Sequence, residues 1–210
     1  LLVYAKTDKE KGAHGISAFI VEKDFPGFEV AQKLEKMGYR GSQTGELVFT
    51  DCRVPVENLV GEENRGVSIV MSGLDIERAM ISPLCLGVAE RALELSIDYA
   101  KTQSMLAEMY VHVETMRTFS YRGLAVAEGL ESGSGPRGDI HMLTAASVMF
   151  AAQTTNKVLD LGVQIHGGSG YIWESEINRL FRSTKLLEIG AGTTEVRKMI
   201  IAGELLRDMK

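Results

Sequence analysis

The sequence predicts an α+β fold in which a short β segment, half of a barrel or sandwich, precedes a helical bundle. Residues 1–58 hold short runs rich in Val, Ile, Phe and Thr, separated by glycine and proline turn signals. From Val67 onward the apolar period is helical, and glycines divide it into segments. A length of 210 residues leaves room for one large domain or two small ones, with ample core.

Strands are expected at 1–5, 16–22, 28–32 and 46–54, with turns at Lys11-Gly12, Phe25-Pro26-Gly27 and Gly38-Tyr39-Arg40-Gly41-Ser42. Four short strands leave edges that need a partner sheet. Residues 57–66 read as a linker, which divides a β domain at 1–60 from a helical domain at 61–210. The stretch 67–88 is apolar nearly all round, and for a helix that predicts burial rather than one wet face. Residues 88–121 run for 34 positions without Gly or Pro, long for a globular helix, and their apolar phase slips at Lys101-Thr102-Gln103. Either this is one extended helix or two helices whose connection is missing. Gly123, Gly129 and Ser132-Gly133-Ser134-Gly135-Pro136 mark breaks, and later helices are expected near 139–161, 176–187 and 194–206.

Composition narrows the function classes. A net charge of −5, with no basic block, argues against a nucleic-acid surface. No run of about 18 apolar residues occurs, so no membrane span is predicted. Cys52 and Cys85 stand in unrelated segments and neither forms a CxxC pair, which predicts two buried reduced thiols in an intracellular protein. His14, His112, His141 and His166 have no metal-ligand spacing. The chain opens on Leu1 directly in strand-like sequence, without a signal-peptide pattern, and reads as a fragment whose N-terminal part is absent.

Three charges interrupt the apolar stretch 67–88. Asp75 and Arg78 are three apart, so on a helix they can form a local ion pair. Glu77 is left over, because Val70, Gly73, Leu74, Met80, Ile81 and Leu84, its helical neighbours, cannot pair with a carboxylate. A carboxylate on an apolar face has its pKa raised by desolvation, which suits a general base. The other reading is an ion pair between Glu77 and a distant Lys or Arg. Two glycine-rich stretches follow. In Gln164-Ile165-His166-Gly167-Gly168-Ser169-Gly170-Tyr171, close glycines let backbone N–H groups approach an anion, or simply make an interhelical turn. Gly190-Ala191-Gly192-Thr193-Thr194-Glu195 opens the last helix with Thr193 or Thr194 as N-cap, which suits anion or carbonyl binding or ordinary capping.

Five motifs, Gly-Tyr-Arg-Gly-Ser (38–42), Glu-Leu-Val-Phe-Thr-Asp-Cys-Arg-Val-Pro (46–55), Glu-Asn-Leu-Val-Gly (57–61), Gln-Ile-His-Gly-Gly-Ser-Gly-Tyr (164–171) and Gly-Thr-Thr-Glu-Val-Arg (192–197), resemble the acyl-CoA dehydrogenase family in order and spacing. The resemblance covers nearly the whole chain. It implies the second half of the family's middle β-barrel domain followed by its C-terminal helical bundle, with the N-terminal helical domain absent. The family's Arg-x-x-Phe-Gly segment is missing between Thr102 and Gln103, where the helical phase slips, which points to a join in the sequence there.

The resemblance implies FAD-dependent α,β-dehydrogenation of an acyl-CoA, with electrons passed to an electron-transfer flavoprotein by a homotetramer. Most members carry the catalytic base just before the Gly-Thr of the last motif, and Ala191 stands there. In the isovaleryl-CoA branch the base lies instead in Gly-Leu-Asp-x-Glu-Arg, which Gly73-Leu74-Asp75-Ile76-Glu77-Arg78 matches, so Glu77 is the implied base. The implied reaction is isovaleryl-CoA to 3-methylcrotonyl-CoA, in leucine catabolism. A long-chain acyl-CoA dehydrogenase and a non-catalytic oligomerising fragment are the alternatives. Asp75, Ile76 and Arg78 are implied to line the acyl-CoA channel, and Ala191 and Gly192 to sit by the thioester. Gln164, Ile165, His166, Gly167, Gly168, Thr193, Thr194 and Glu195 are implied to contact FAD, some across a subunit interface. The implied location is cytoplasmic in a bacterium and the mitochondrial matrix in a eukaryote.

Overall fold

In the computed structural model, which describes residues 1–99, 103–132 and 137–207, the β segment forms two small antiparallel sheets. Strand β1 (Leu2–Lys6) pairs with β2 (Ile16–Ile20), from Leu2 opposite Ile20 to Lys6 opposite Ile16. Strand β3 (Phe28–Leu34) pairs with β4 (Thr44–Phe49) through a register shift between Val30 and Gln32. Phe28 and Phe49, opposite each other at one end, stack with centroids 5.0 Å apart. Gly27 makes the turn into β3 with φ +87, and a Cβ there would lie 2.1 Å from the Thr50 carbonyl oxygen, so only glycine fits. Val3, Ala5, Phe19, Phe49, Cys52 and Val54 line an apolar cavity of about 460 Å³ in this segment.

Two expectations for this segment need correction. The fourth strand ends at Phe49 instead of continuing to residue 54, because Asp51 turns the chain with φ +48 and the Thr50 amide bonds back to Gly27 O. The expected linker contains a fifth strand, β5 (Leu59–Val60), which pairs with the free edge of β2. Asn58 Nδ2 donates to Ile20 O, and the Asn64 amide donates to Ser17 Oγ, so the segment is tied down by polar bonds that alternation does not signal.

Among the described residues six α-helices follow: α1 (Gly66–Tyr99), α2 (Gln103–Ser132), α3 (Arg137–His166), the single turn α4 (Gly168–Tyr171), α5 (Glu176–Ile189) and α6 (Thr194–Leu205). The chain divides into two compact units, Leu1–Leu74 and Asp75–Lys210, so α1 begins in the first and from Asp75 belongs to the second. Within the second unit α3 is central and packs against α2, α4, α5 and α6. The stretch 88–121 belongs to two helices, and the join expected between Thr102 and Gln103 lies outside the described residues.

Helix α1 is not buried all round. Ser82, Cys85, Leu86, Ala89, Ala92 and Ser96 form its buried face, at helical spacing and mostly small. The large side chains Ile76, Met80 and Leu84 are exposed, Met80 to 60%. Small residues admit close helix contact, and the polar ones are satisfied there. Ser82 Oγ lies 2.7 Å from Ser120 Oγ on α2 and 2.8 Å from Ser147 Oγ on α3, and Thr155 Oγ1 donates to Cys85 O. Burial pushes the Cys85 thiol up to about 12, so it stays protonated; Cys52 is only half-buried.

The breaks expected at Gly123 and Gly129 do not occur, since α2 runs on to Ser132. Gly123 is a contact point instead, because a Cβ there would lie 2.8 Å from Ser147 Oγ and 2.9 Å from Ser147 Cβ. Helix propensity alone favours Gly123→Ala by roughly 1 kcal/mol. Overpacking against α3 costs typically about 1–3 kcal/mol and disturbs the hydroxyl cluster as well. We therefore expect Gly123→Ala to lower the thermal unfolding midpoint of the protein. A raised midpoint would mean that α3 yields without cost.

Candidate active site

The site is built around a buried ion pair on α1. Asp75 and Arg78, 2% and 3% exposed, lie one turn apart, with Arg78 Nη1 3.2 Å from Asp75 Oδ1. Two buried charges persist only if their remaining hydrogen-bonding capacity is met. His141 Nδ1 on α3 donates to the same carboxylate oxygen at 2.6 Å, and Arg78 Nε donates to Ala191 O at 3.1 Å. The Asp75–Arg78 pair expected from spacing is present. His141 and the Ala191 carbonyl, its other partners, lie 66 and 113 positions away along the chain.

Ala191 stands in the turn between α5 and α6 and has φ +53, a left-handed conformation uncommon for a residue with a side chain. Gly192 follows with φ +97. The turn is held from the other side by Arg197, which is fully buried on α6. Its Nη2 donates to Leu187 O at 3.0 Å and to Gly190 O at 2.6 Å. Its Nε and Nη1 are buried without a partner. Burial lowers the pKa of this guanidinium, and the positive charge of Arg78 acts in the same direction. Asp75, Arg78 and Arg197 are the fully buried charged residues among those described, two cations to one anion. The same periodicity that isolates Glu77 applies to Arg197, whose neighbours include Thr194, Ile200 and Ile201, so a charge on a buried face was readable there.

Glu77 lies on the exposed side of α1. The distant Lys or Arg expected as its alternative partner is absent, because no hydrogen bond or ion pair among the described residues involves it. Its expected desolvation is not supplied by this chain, since its flank, with Ile76 and Met80, is open. Glu77 is a free carboxylate on an apolar surface, two residues from a buried carboxylate bonded to Arg78 and His141.

The glycine-rich stretch 164–171 makes an interhelical turn. His166 ends α3, its Nδ1 donates to Gly162 O at 2.7 Å, and its ring stacks on Tyr99 with centroids 4.4 Å apart. Gly167 has φ +56, and neither it nor Gly168 has any atom within 4 Å of where a side chain would start, so their backbone is open. Gln164 is exposed and Ile165 half-buried. At the start of α6, Thr193 is the N-cap, its hydroxyl accepting from the Val196 amide at 3.4 Å. Thr194 is buried and faces Glu188 O. Glu195 is exposed, and its own backbone N–H, followed by the Thr193 hydroxyl, lowers its pKa. The structure does not bring the two stretches together. Asn178, near the start of α5, bonds Gly170 O, whereas Thr193 follows the end of α5, which is about 20 Å long at 1.5 Å per residue.

Comparison with known proteins places this geometry. Residues 64–206 match the family model described as acyl-CoA dehydrogenase, C-terminal domain, and residues 1–52 match acyl-CoA dehydrogenase, middle domain. The chain is 43% identical to mitochondrial isovaleryl-CoA dehydrogenase of Oryza sativa subsp. japonica, over 99% of this chain and 53% of that protein. It is 39% identical to mitochondrial 2-methylacyl-CoA dehydrogenase of Solanum tuberosum, over 99% and 52% respectively. The structure of butyryl-CoA dehydrogenase from Megasphaera elsdenii superposes with a TM-score of 0.89 at 37% identity, covering 98% of this chain and 56% of that one. The chain thus spans about half the length of the curated relatives it matches.

The two neighbouring carboxylates should separate cleanly in a stability measurement. Asp75→Asn leaves Arg78 buried without its counter-charge, which typically costs about 3 kcal/mol or more. Glu77→Gln alters an exposed group without partners and should stay within about 0.5 kcal/mol of the parent. Denaturant unfolding of both variants checks this, and a larger loss for Glu77→Gln would overturn the division.

Proposed function

This chain belongs to the acyl-CoA dehydrogenase family, and on that premise we propose that it is part of an FAD-dependent enzyme that dehydrogenates a short branched acyl-CoA, isovaleryl-CoA to 3-methylcrotonyl-CoA, in leucine catabolism. Residues 1–60 would be the second half of its middle β-domain and 61–210 its helical bundle. The observation that carries the reading is the bond from Arg78 Nε to Ala191 O. It ties the residue next to Glu77 to the turn where most of the family has its base, and alanine cannot take a proton.

In this reading Glu77 removes the α-proton of the thioester. The electron pair moves toward the carbonyl oxygen, and the N–H groups of Ala191 and Gly192 receive the developing charge. Neither N–H has a protein acceptor among the described residues. The open flank of Ile76, Met80 and Leu84 gives an acyl chain an apolar surface to cover, and covering it desolvates Glu77. Asp75 and Arg78 are buried and act through the turn rather than by touching the acyl chain.

FAD, when bound, accepts the β-hydrogen with its electron pair. The residues present fit such a group. The backbone at Gly167 and Gly168 is open to close approach, Gln164 is exposed beside it, and the capped N-terminus of α6 offers first-turn N–H groups. Because these surfaces stand at opposite ends of α5, they would serve different parts of the cofactor, or cofactors of neighbouring subunits in a homotetramer. The electron-transfer flavoprotein is the proposed partner. No described helix is long and apolar enough to cross a membrane. The proposed site of action is the mitochondrial matrix in a eukaryote and the cytoplasm in a bacterium.

In the complete enzyme, Glu77→Gln should abolish turnover while FAD and acyl-CoA remain bound; near-normal turnover would remove Glu77 as the base. Ala191 and its flanking glycines leave room for a methyl branch. One methyl group is typically worth about 1–3 kcal/mol, so preference rather than exclusion is expected. Comparing kcat/KM for isovaleryl-, butyryl-, octanoyl- and palmitoyl-CoA with an artificial electron acceptor tests the substrate. Palmitoyl-CoA as the best of the four would replace this reading with a long-chain one.

A further inference from the structure

Arg197 is an expensive residue to place in an interior. It is fully buried, no carboxylate pairs with it, and two of its nitrogens lack partners. Burying a guanidinium in this way opposes folding, and removing such charges from a core is often neutral or stabilising. What it does hold is specific, namely the Leu187 carbonyl in the last turn of α5 and the carbonyl of Gly190. The next carbonyl, that of Ala191, is held by Arg78.

A trans peptide is planar, so its C=O and N–H point in opposite directions. The carbonyl of Gly190 shares a plane with the Ala191 N–H, and the carbonyl of Ala191 shares one with the Gly192 N–H. Drawing both oxygens toward buried guanidiniums turns both N–H groups the other way. It also sustains the left-handed φ of Ala191, a strained conformation for a residue with a side chain. A donor whose carbonyl is bonded to a cation is polarised and binds an anion more strongly.

We infer that Arg197 is a positioning residue for the thioester, holding Gly190 O as Arg78 holds Ala191 O, so that the N–H groups of Ala191 and Gly192 are fixed toward the oxygen that becomes negative. This inference rests on the acyl-CoA dehydrogenase reading above and deepens it. Arg197 never touches the substrate and acts through the backbone of the turn.

The test uses the complete FAD-containing enzyme and two unreactive ligands. Acetoacetyl-CoA carries the thioester carbonyl and ionises to an enolate that is read in the near ultraviolet. S-isopentyl-CoA, a thioether, has the same acyl outline without that oxygen. In Arg197→Gln, which keeps a donor but loses the charge, the ionisation midpoint of bound acetoacetyl-CoA should rise by about one pH unit. The enolate fraction at a fixed pH below both midpoints then falls about tenfold, and kcat falls similarly with KM within about twofold. Affinity for S-isopentyl-CoA should be unchanged. Arg197→Lys keeps the charge, but its ammonium ends one bond short of the Nη2 that makes both contacts, so a smaller rise, about threefold in the same ratio, is expected from it. Parent-like ionisation in either folded variant overturns the inference, as does an equal loss of affinity for both ligands, the mark of a purely structural role. A parent enzyme that binds neither ligand overturns the dehydrogenase reading itself.

Discussion

A buried guanidinium must find acceptors, and the need of Arg78 for them joins the parts of the bundle that make up the site. Asp75 supplies the counter-charge one helical turn away, and His141 occupies the same carboxylate from α3. Ala191 supplies a carbonyl from the turn between α5 and α6. Apolar packing is tolerant of small displacements, but a 3.1 Å hydrogen bond from the buried Arg78 guanidinium to the half-buried Ala191 carbonyl is not. The placement of the turn against α1 is therefore set by polar geometry, and the rest of the helical unit packs around it.

That packing depends on smallness. The buried face of α1 is mostly serine, cysteine and alanine, and α2 meets α3 where Gly123 leaves space for Ser147. Close approach of three helices leaves the hydroxyls of Ser82, Ser120 and Ser147 only each other as partners, together with the carbonyl of Phe119. A satisfied cluster of this kind fixes one register of the three helices, since sliding any of them leaves hydroxyls unpaired. The large side chains of α1 are left on the opposite face, beside Glu77.

The contrast between Asp75 and Glu77 follows from helical geometry. Two residues along an α-helix is about 200° around its axis, so the carboxylates face opposite ways. One meets Arg78 and His141 and is committed to structure. The other meets an open apolar flank and keeps its bonds free. A fold maintained by the first carboxylate can present the second for chemistry without the two competing for partners.

How much of this was legible in the sequence depends on the range of each interaction. The order of β segment and bundle, the three C-terminal helices, the Asp75–Arg78 pair and the Thr193 cap are local, written in spacings of two to four residues, and all can be read directly from the chain. Strand β5 could not, because Leu59 and Val60 are a strand only by virtue of the open edge of β2, some 40 residues earlier. Gly123 reads as a break and is a contact, because the reason for it is Ser147 on another helix. The composition of α1 revealed that it is apolar but not which face is covered, since small and large apolar residues look alike until the neighbouring helices select the small ones. His141 was silent for the same reason, and for Arg197 the spacing marks a charge on a buried face but not its partners, the carbonyls of Leu187 and Gly190 that the packed chain brings within 3.0 Å. Local periodicity thus determined the elements and the candidate carboxylate. Only the packed chain decided which charges were buried together and which peptide groups they turned toward the site.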